Sequence, residues 1–528
     1  IRARRIAIVG AGPSGIAAAK HFLASRAFAA IDVFEQRPCT GGLWNYTPNI
    51  HSEPHFTAPS TDPHVPLEQP IWSTSPAPRA EATTAAAHGD DAIPCTSPSA
   101  YGDAAAAEPV FASPMYERLE TNIPKPLMQF SDADFAADEP LFPPRAAVLR
   151  YLRQYTAGGV LRLVRFRTQV EEVRLLEGNE EEKEKGEQDG ISWCEDRWAV
   201  RTRDLTSGTV EEKIYDAVVV GSGHFSTPCV PELDGLKEWV RDHPGSVLHS
   251  KYFRRPEEFS GKKVLVIGAS ASGLDISAQL LPYARTPVHL SQKTPSPLSA
   301  TSKPANPSLQ VHAALTALDP RTRTAIFAPS PTPDTAPTPP TTVSDIDVLL
   351  FCTGYLYTLP FLTLPASEPS PLHPAGLRLR HAYRHLVFAP RPSLAFLALP
   401  QRVVPFALAE RQAAALARLY AGRLSLPAPA DCAAWEAAVL RDAGDAAFHD
   451  LQFPKDWRYV NWLVEWAESA DEVEGGEAEA GWEEKVPPRW GEWHWWCRER
   501  FPAMRKAFSE RGEGRKDVKS VEDLGEQF

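Results

Sequence analysis

At 528 residues the chain is too long for one ordinary hydrophobic core, so two or more domains are expected. With 43% hydrophobic and 23% charged residues it has the composition of a globular protein, and its formal net charge of -12 excludes a general affinity for nucleic acid or anionic membrane. No apolar run approaches the roughly 20 residues that span a bilayer, so no membrane anchor is expected, and the cytoplasm is the expected compartment.

The first element in chain order is a short apolar run, Ile6 to Val9, of the kind that forms a buried parallel strand. It breaks into Gly10, Gly12 and Gly15 at GxGxxG spacing, and the helix-compatible "IAAAKHFLA" follows. The first glycine permits the tight turn, the second lets backbone approach a pyrophosphate, and the third allows close helix packing. The helix N-terminus then offers amide donors to phosphate, which makes Gly10, Gly12, Pro13, Ser14 and Gly15 candidate nucleotide-binding residues. A second strand, "IDVFE", ends in Glu35. A carboxylate there accepts ribose hydroxyls and repels a 2′-phosphate, so this first site suits FAD or NAD.

Three stretches lack the periodic apolar residues that offset the cost of ordering a chain: about 47 to 112, 176 to 190 and 294 to 344. They read as surface loops or disorder. Between the last two, "KKVLVIG" repeats the strand-into-glycine logic, with Gly268 and Gly273 kept and Ser270 in the middle glycine position. Ser270, Ala271 and Ser272 complete the second turn. The place of the acidic residue falls in "VHLSQK", which holds no carboxylate but offers Ser291 and Lys293 to a 2′-phosphate. The second site therefore suits NADP(H). A flavin site and a nicotinamide site in one chain imply hydride transfer from NADPH to FAD.

"VVVGSGHFSTP" and "DVLLFCTGY" read as apolar strands that break into glycine turns where the chain crosses between two nucleotide-binding domains, with Thr353, Gly354 and Tyr355 as candidate cofactor contacts. The Trp-rich "PRWGEWHWWCRER" reads as packing, or as an interface of a homo-oligomer. Seven cysteines form no CxxC pair and no disulfide framework, which argues against a disulfide reductase with two such domains, and no metal site is expected.

"GAGPSG", "GGLW", "YERLETNIPKPLM", "GSVLHSKYF", "GASASG" and "FCTGY" occur in the order seen in flavin-containing monooxygenases, and the chain resembles a fungal-type, class B member of that family from residue 6 to about 465. The family signature FxGxxxH, closed by an aromatic four residues later, is met by Gly245, His249 and Phe253, with His243 where Phe is usual. Baeyer–Villiger monooxygenases, which convert ketones to esters, resemble the same pattern but end it in Trp-Pro, where this chain has Phe253-Arg254.

The resemblance implies that Gly42, Leu43 and Trp44 lie near the flavin, that Val170 belongs to the strand meeting the FAD adenine, and that the helix in "PFALAERQA" begins near the isoalloxazine. It also implies that Asn122 lies beside the flavin and the nicotinamide ribose and helps to hold the oxygenated flavin. A neutral amide suits that place because it donates and accepts without carrying a proton that would release hydrogen peroxide. By the same resemblance NADPH reduces FAD, O2 adds to flavin C4a, and the hydroperoxide delivers one oxygen to a soft nucleophile, an amine, thiol or sulfide of a small-molecule substrate. The expected fold is α/β with two Rossmann-like dinucleotide-binding domains. The NADPH domain, 228 to 345, is inserted into an FAD domain built from 1 to 227 and 346 to 528.

Overall fold

The computed structural model describes residues 1–48, 62–73, 108–177, 195–294, 307–329, 340–471 and 484–528. Its first sheet grows around the strand Arg5–Val9, whose Ile6, Ala7 and Ile8 are fully buried. Ala30–Phe34 and Ala217–Val220 pair with it in parallel on either side. The sheet has seven strands, extended beyond Ala30–Phe34 by Val164–Arg165 and beyond Ala217–Val220 by Leu394–Phe396, Val387–Phe388 and Ala382–Tyr383. A strand buried on both faces reads as an unbroken apolar run, as "IAIV" after the exposed Arg5 and "AVVV" do.

The glycine-turn helix Pro13–Ser25 packs against a helix from the far end of the chain, Pro405–Tyr420. Every residue from Phe406 to Tyr420 is buried. A helix covered all round lies between partners rather than on the surface, and its second partner is the helix Lys455–Glu468. Its many alanines let both neighbours approach closely.

The second sheet is wholly parallel, in the order Val247–His249, Val348–Phe351, Val264–Ile267, Val288–Ser291, Leu309–His312. Helix Ala271–Leu280 follows its glycine turn. The expected architecture is present: two α/β units, the second inserted in the first. A third sheet joins the first unit: the antiparallel meander Thr168–Leu175, Trp198–Asp204 and Val210–Tyr215, with Leu362–Thr363 added in parallel at its edge. Where the chain leaves the first unit, Thr227–Pro228, and where it returns, Tyr355–Leu356, the two passages are hydrogen-bonded to each other as an antiparallel pair.

Two expectations need correction. Val348–Phe351 lies inside the second sheet, between Val247–His249 and Val264–Ile267, so that unit ends after residue 351 rather than at 345. The stretch 294 to 344 is not all loop: Leu309–His312 is a strand of the second sheet, and Leu315–Asp319, Thr324–Phe327 and Thr341–Val343 form a sheet of their own. Its apolar residues are few but well placed, with Leu315, Leu318, Ala325, Phe327 and Val343 all buried. In the stretch 47 to 112, Ile71–Ser73 and Glu108–Val110 pair, while 49–61 and 74–107 lie outside the described residues. So do 178–190 of the stretch 176 to 190. Among the described residues no helix is long and apolar enough to cross a membrane.

Candidate functional site

Gly10 ends the first strand with φ +98°, and a Cβ there would lie 2.9 Å from the carbonyl oxygen of Gly221. At Gly15 a Cβ would lie 1.8 Å from the Gly10 oxygen, so the turn closes only with glycine at that place. Gly12 is the N-cap of the Pro13–Ser25 helix, Pro13 opens its first turn, Ser14 is partly exposed, and no side chain caps the amides. Uncapped amides at a helix N-terminus beside a glycine cradle fit a pyrophosphate. The Gly41-Gly42 turn lies directly over this cradle: Gly41 N donates to Ala11 O at 3.0 Å, and a Cβ on Gly42 would come within 2.8 Å of Gly12 Cα. Leu43 and Trp44 complete its 3-10 turn, and the Trp44 ring meets Phe406 edge-on at 6.2 Å. The helix of "PFALAERQA" thus begins beside the first glycine turn.

Glu35 is buried, and both its oxygens are engaged by backbone: Oε2 accepts from Ala11 N at 2.8 Å and Oε1 from Arg37 N at 2.9 Å. Burial pushes its carboxyl above the ordinary value, and those two amide bonds pull the other way. The carboxylate thus ties the end of the second strand to the glycine turn, where its remaining lone pairs can accept ribose hydroxyls. Thr168 N donates to Glu35 O, which brings the strand carrying buried Val170 alongside.

The second cradle repeats the first. Gly268 has φ +106°, and a Cβ on Gly273 would sit 1.8 Å from Gly268 O. Ser270 is the N-cap of Ala271–Leu280 with no side-chain cap, and Ala271 and Ser272 form the first turn. Of the two residues expected to meet a 2′-phosphate at the end of the next strand, the structure leaves one exposed. Ser291 is buried, its hydroxyl donating to Ala313 O at 2.9 Å and accepting from Leu315 N at 3.0 Å, so it holds the sheet rather than facing a nucleotide. Lys293 is exposed just past the strand end.

At the return crossing, Thr353 Oγ1 donates to Cys229 O, Gly354 takes φ +84°, and the ring of Tyr355 stands edge-on to His249 at 5.0 Å. His249 Nδ1 accepts from Lys251 N, so its Nε2–H donates to Gly354 O at 3.0 Å. Burial lowers its pKa to about 4. It is a neutral, bonded histidine that fastens the crossing, not a base.

Asn122 is exposed, at the apex of a turn between Thr121 and Pro124, both buried. The segment carrying it spans the two units. Tyr116 Oη donates to Asp275 Oδ2 on the helix after the second glycine turn, whereas Ile123 and the short helix Lys125–Met128 pack into the core of the first.

Comparisons with known proteins bear on this arrangement. The family pattern described as FMO-like, flavin-binding monooxygenase-like, matches residues 107–304, and an FAD-NAD(P)-binding pattern matches 7–58. A trimethylamine monooxygenase of Methylocella silvestris is 30% identical over 472 residues, which are 86% of this chain and 82% of that one. The chain belongs to the flavin-containing monooxygenase family. Another relative, the flavin-containing monooxygenase FMO GS-OX-like 9 of Arabidopsis thaliana, is 29% identical over 81% of this chain and 78% of its own. Among solved structures, the S-allyl-L-cysteine S-oxygenase of Allium sativum superposes with a TM-score of 0.67 at 24% identity, covering 99% of this chain and 98% of its own, and shows the same fold. This flavin-containing monooxygenase uses FAD and NADPH.

Sequence reasoning did not single out Asp275, the acidic residue that joins the second glycine helix to Tyr116. The signal was present as one carboxylate on the otherwise uncharged "ASGLDISAQL". Nor did it find Lys251, whose buried ammonium reaches Glu68 at 3.2 Å.

Proposed function

We propose that this flavin-containing monooxygenase oxygenates a soft nucleophilic atom, an amine nitrogen or a thiol or sulfide sulfur, in a small molecule, with NADPH and O2 consumed. The observation that carries the reading is the exposed amide of Asn122 on a segment pinned at one end to the second glycine helix and at the other to the core beside the first. When bound, FAD reduced by NADPH supplies the electrons and activates the oxygen.

The chain's own residues bind and orient. The uncapped amides after Gly12 and Ser270 would hold the two pyrophosphates, Glu35 would accept ribose hydroxyls of FAD, Lys293 would neutralise the 2′-phosphate, and Asn122 would donate and accept hydrogen bonds where oxygen is transferred. None of these needs to titrate in the reaction. The nitrogen side of the reading is supported by the name of the 30% identical relative, a trimethylamine monooxygenase. The sulfur side follows from chemistry, since the more polarisable sulfur of a neutral sulfide or thiol is a softer nucleophile than an amine nitrogen.

The test is Asn122→Ala, assayed with a tertiary amine, a sulfide and a ketone under 18O2. The wild type is expected to give N-oxide or S-oxide carrying one heavy oxygen. The variant should divert NADPH to hydrogen peroxide far more than it slows bleaching of the flavin by NADPH, because hydride transfer needs the two rings brought together whereas oxygen transfer needs the amide. Ester from the ketone as the main product would replace this reading with a Baeyer–Villiger one. Wild-type product yield in Asn122→Ala would remove Asn122 from the site.

A further inference from the structure

We propose that Glu120 is a positioning residue that sets the Asn122 turn by bridging it to the C-terminal segment of the chain; the inference rests on the reading of Asn122 given above. Glu120 lies two residues before Asn122 and accepts two arginines. Oε2 takes Arg505 Nη2 at 3.1 Å from the helix Glu492–Glu510, and Oε1 takes Arg515 Nε at 2.9 Å from the 3-10 turn that follows it. The three side chains are mostly buried, at 22%, 18% and 26% exposure. One carboxylate flanked by two guanidinium groups is held from two directions, which a single surface pair does not achieve.

The rest of the turn is anchored by backbone. Arg145 N donates to Leu119 O, Thr121 N to Pro143 O, and Lys125 N to Leu141 O, all between 2.8 and 3.0 Å. Lys125 Nζ donates to the carbonyls of Ala137 at 3.0 Å and Glu139 at 2.6 Å. The facing segment, 141 to 145, is in turn held by the C-terminal region, through Leu141 N to Val518 O at 2.8 Å and the rings of Phe142 and Phe508 at 5.0 Å. Arg505 lies over both of those rings, so the cation that grips Glu120 is itself fixed.

Between the anchors at Thr121 and Lys125 only three residues remain, and Pro124 has its φ locked. The direction of the Asn122 amide therefore depends on how the chain enters the turn, and Glu120 sets that entry. Without the carboxylate, two mostly buried guanidinium groups lose their shared partner and the entry is released on one side.

The test uses the flavin-loaded full chain and compares wild type with Glu120→Gln, Glu120→Asp and Arg515→Gln. In Glu120→Gln, hydrogen–deuterium exchange of the peptide spanning 116 to 128 is expected to quicken several-fold at unchanged flavin content, and hydrogen peroxide formed per NADPH to rise several-fold. Glu120→Asp, which keeps the charge, should recover part of both. Arg515→Gln lies outside the turn and should reproduce the effect in weaker form, which covers the case in which Glu120→Gln fails to fold. Unchanged exchange, or quickened exchange with unchanged peroxide yield, in the folded variants overturns the proposal. If Asn122→Ala uncouples while Glu120→Gln does not, this inference alone fails; if Asn122→Ala stays coupled, the reading beneath it fails.

Discussion

Because both oxygens of Glu35 already hold backbone amides, its substitution reaches beyond the ligand. Glu35→Ala leaves the buried amide of Ala11 without an acceptor, at about 1–3 kcal/mol, and the part-buried amide of Arg37 at less. The variant is expected to purify with less flavin and to melt at lower temperature, whereas Glu35→Gln, which retains one acceptor oxygen, should fall between. Absorbance at the flavin band per mole of protein and a thermal melt check this; full occupancy and an unchanged melt in Glu35→Ala would contradict it. Lys293 gives a cleaner separation. It is exposed at the end of a strand whose other candidate, Ser291, is turned inward. Lys293→Ala should therefore raise the KM for NADPH by about tenfold, the scale of one charge-assisted contact, and leave that for NADH little changed. An equal change for both nucleotides would move the 2′-phosphate elsewhere.

Among elements, the two glycine turns were legible from sequence because their demands are local: a strand, a positive φ, a helix start, all within ten residues. Their near identity in the structure supports a reciprocal prediction. A methyl at Gly273 would collide with Gly268 O and one at Gly15 with Gly10 O, each at 1.8 Å. Forcing such a methyl in costs about 1–3 kcal/mol or more through backbone shifts. Gly273→Ala is expected to lose NADPH-driven flavin bleaching while keeping bound flavin, and Gly15→Ala to lose the flavin. Isolation of both variants with the same flavin content would count against two separate cradles. Elements whose meaning lies in distant partners were not legible. Nothing local shows that the Ser291 hydroxyl is already engaged, because its partners, Ala313 O and Leu315 N, lie in the stretch that reads as loop. Val348–Phe351 was assigned to the wrong unit because an apolar run does not say which sheet it joins. The grip of Arg505 on Glu120 joins residues 385 apart, and no local pattern announces it.

Across the whole molecule, burial of neutral histidines links stability to acidity. Desolvation lowers His21 and His385 to about 3 and His224 and His249 to about 4, and puts His449 well below its ordinary value. His385 and His449 share a 3.0 Å contact between their Nδ1 atoms, and His224, stacked on Tyr357, has neither ring nitrogen hydrogen-bonded. Each of these groups binds its proton less readily folded than unfolded. Their contribution is thus complete above pH 6.5 and falls as the pH drops below it toward 4. Thermal melts between pH 7.5 and 5 should show a steepening loss of Tm, with several protons taken up on unfolding, and His224→Phe should reduce that uptake by about one. A Tm that is flat over this range would contradict the expectation.

The antiparallel contact between Thr227–Pro228 and Tyr355–Leu356 has a consequence for how such a chain can be rebuilt. Departure and return lie side by side, about 5 Å apart as paired strands require, so the covalent attachment of the whole second unit to the first is one short rail. Recombination that exchanges the stretch between these two pairs has to match a single two-residue register and no other covalent geometry. Insertions are tolerated where their ends are close together, and here the ends are already bonded. The second unit is in this sense a portable cassette, provided that whatever replaces it keeps a partner for Tyr116, as Asp275 is here, and one for Glu68, as Lys251 is.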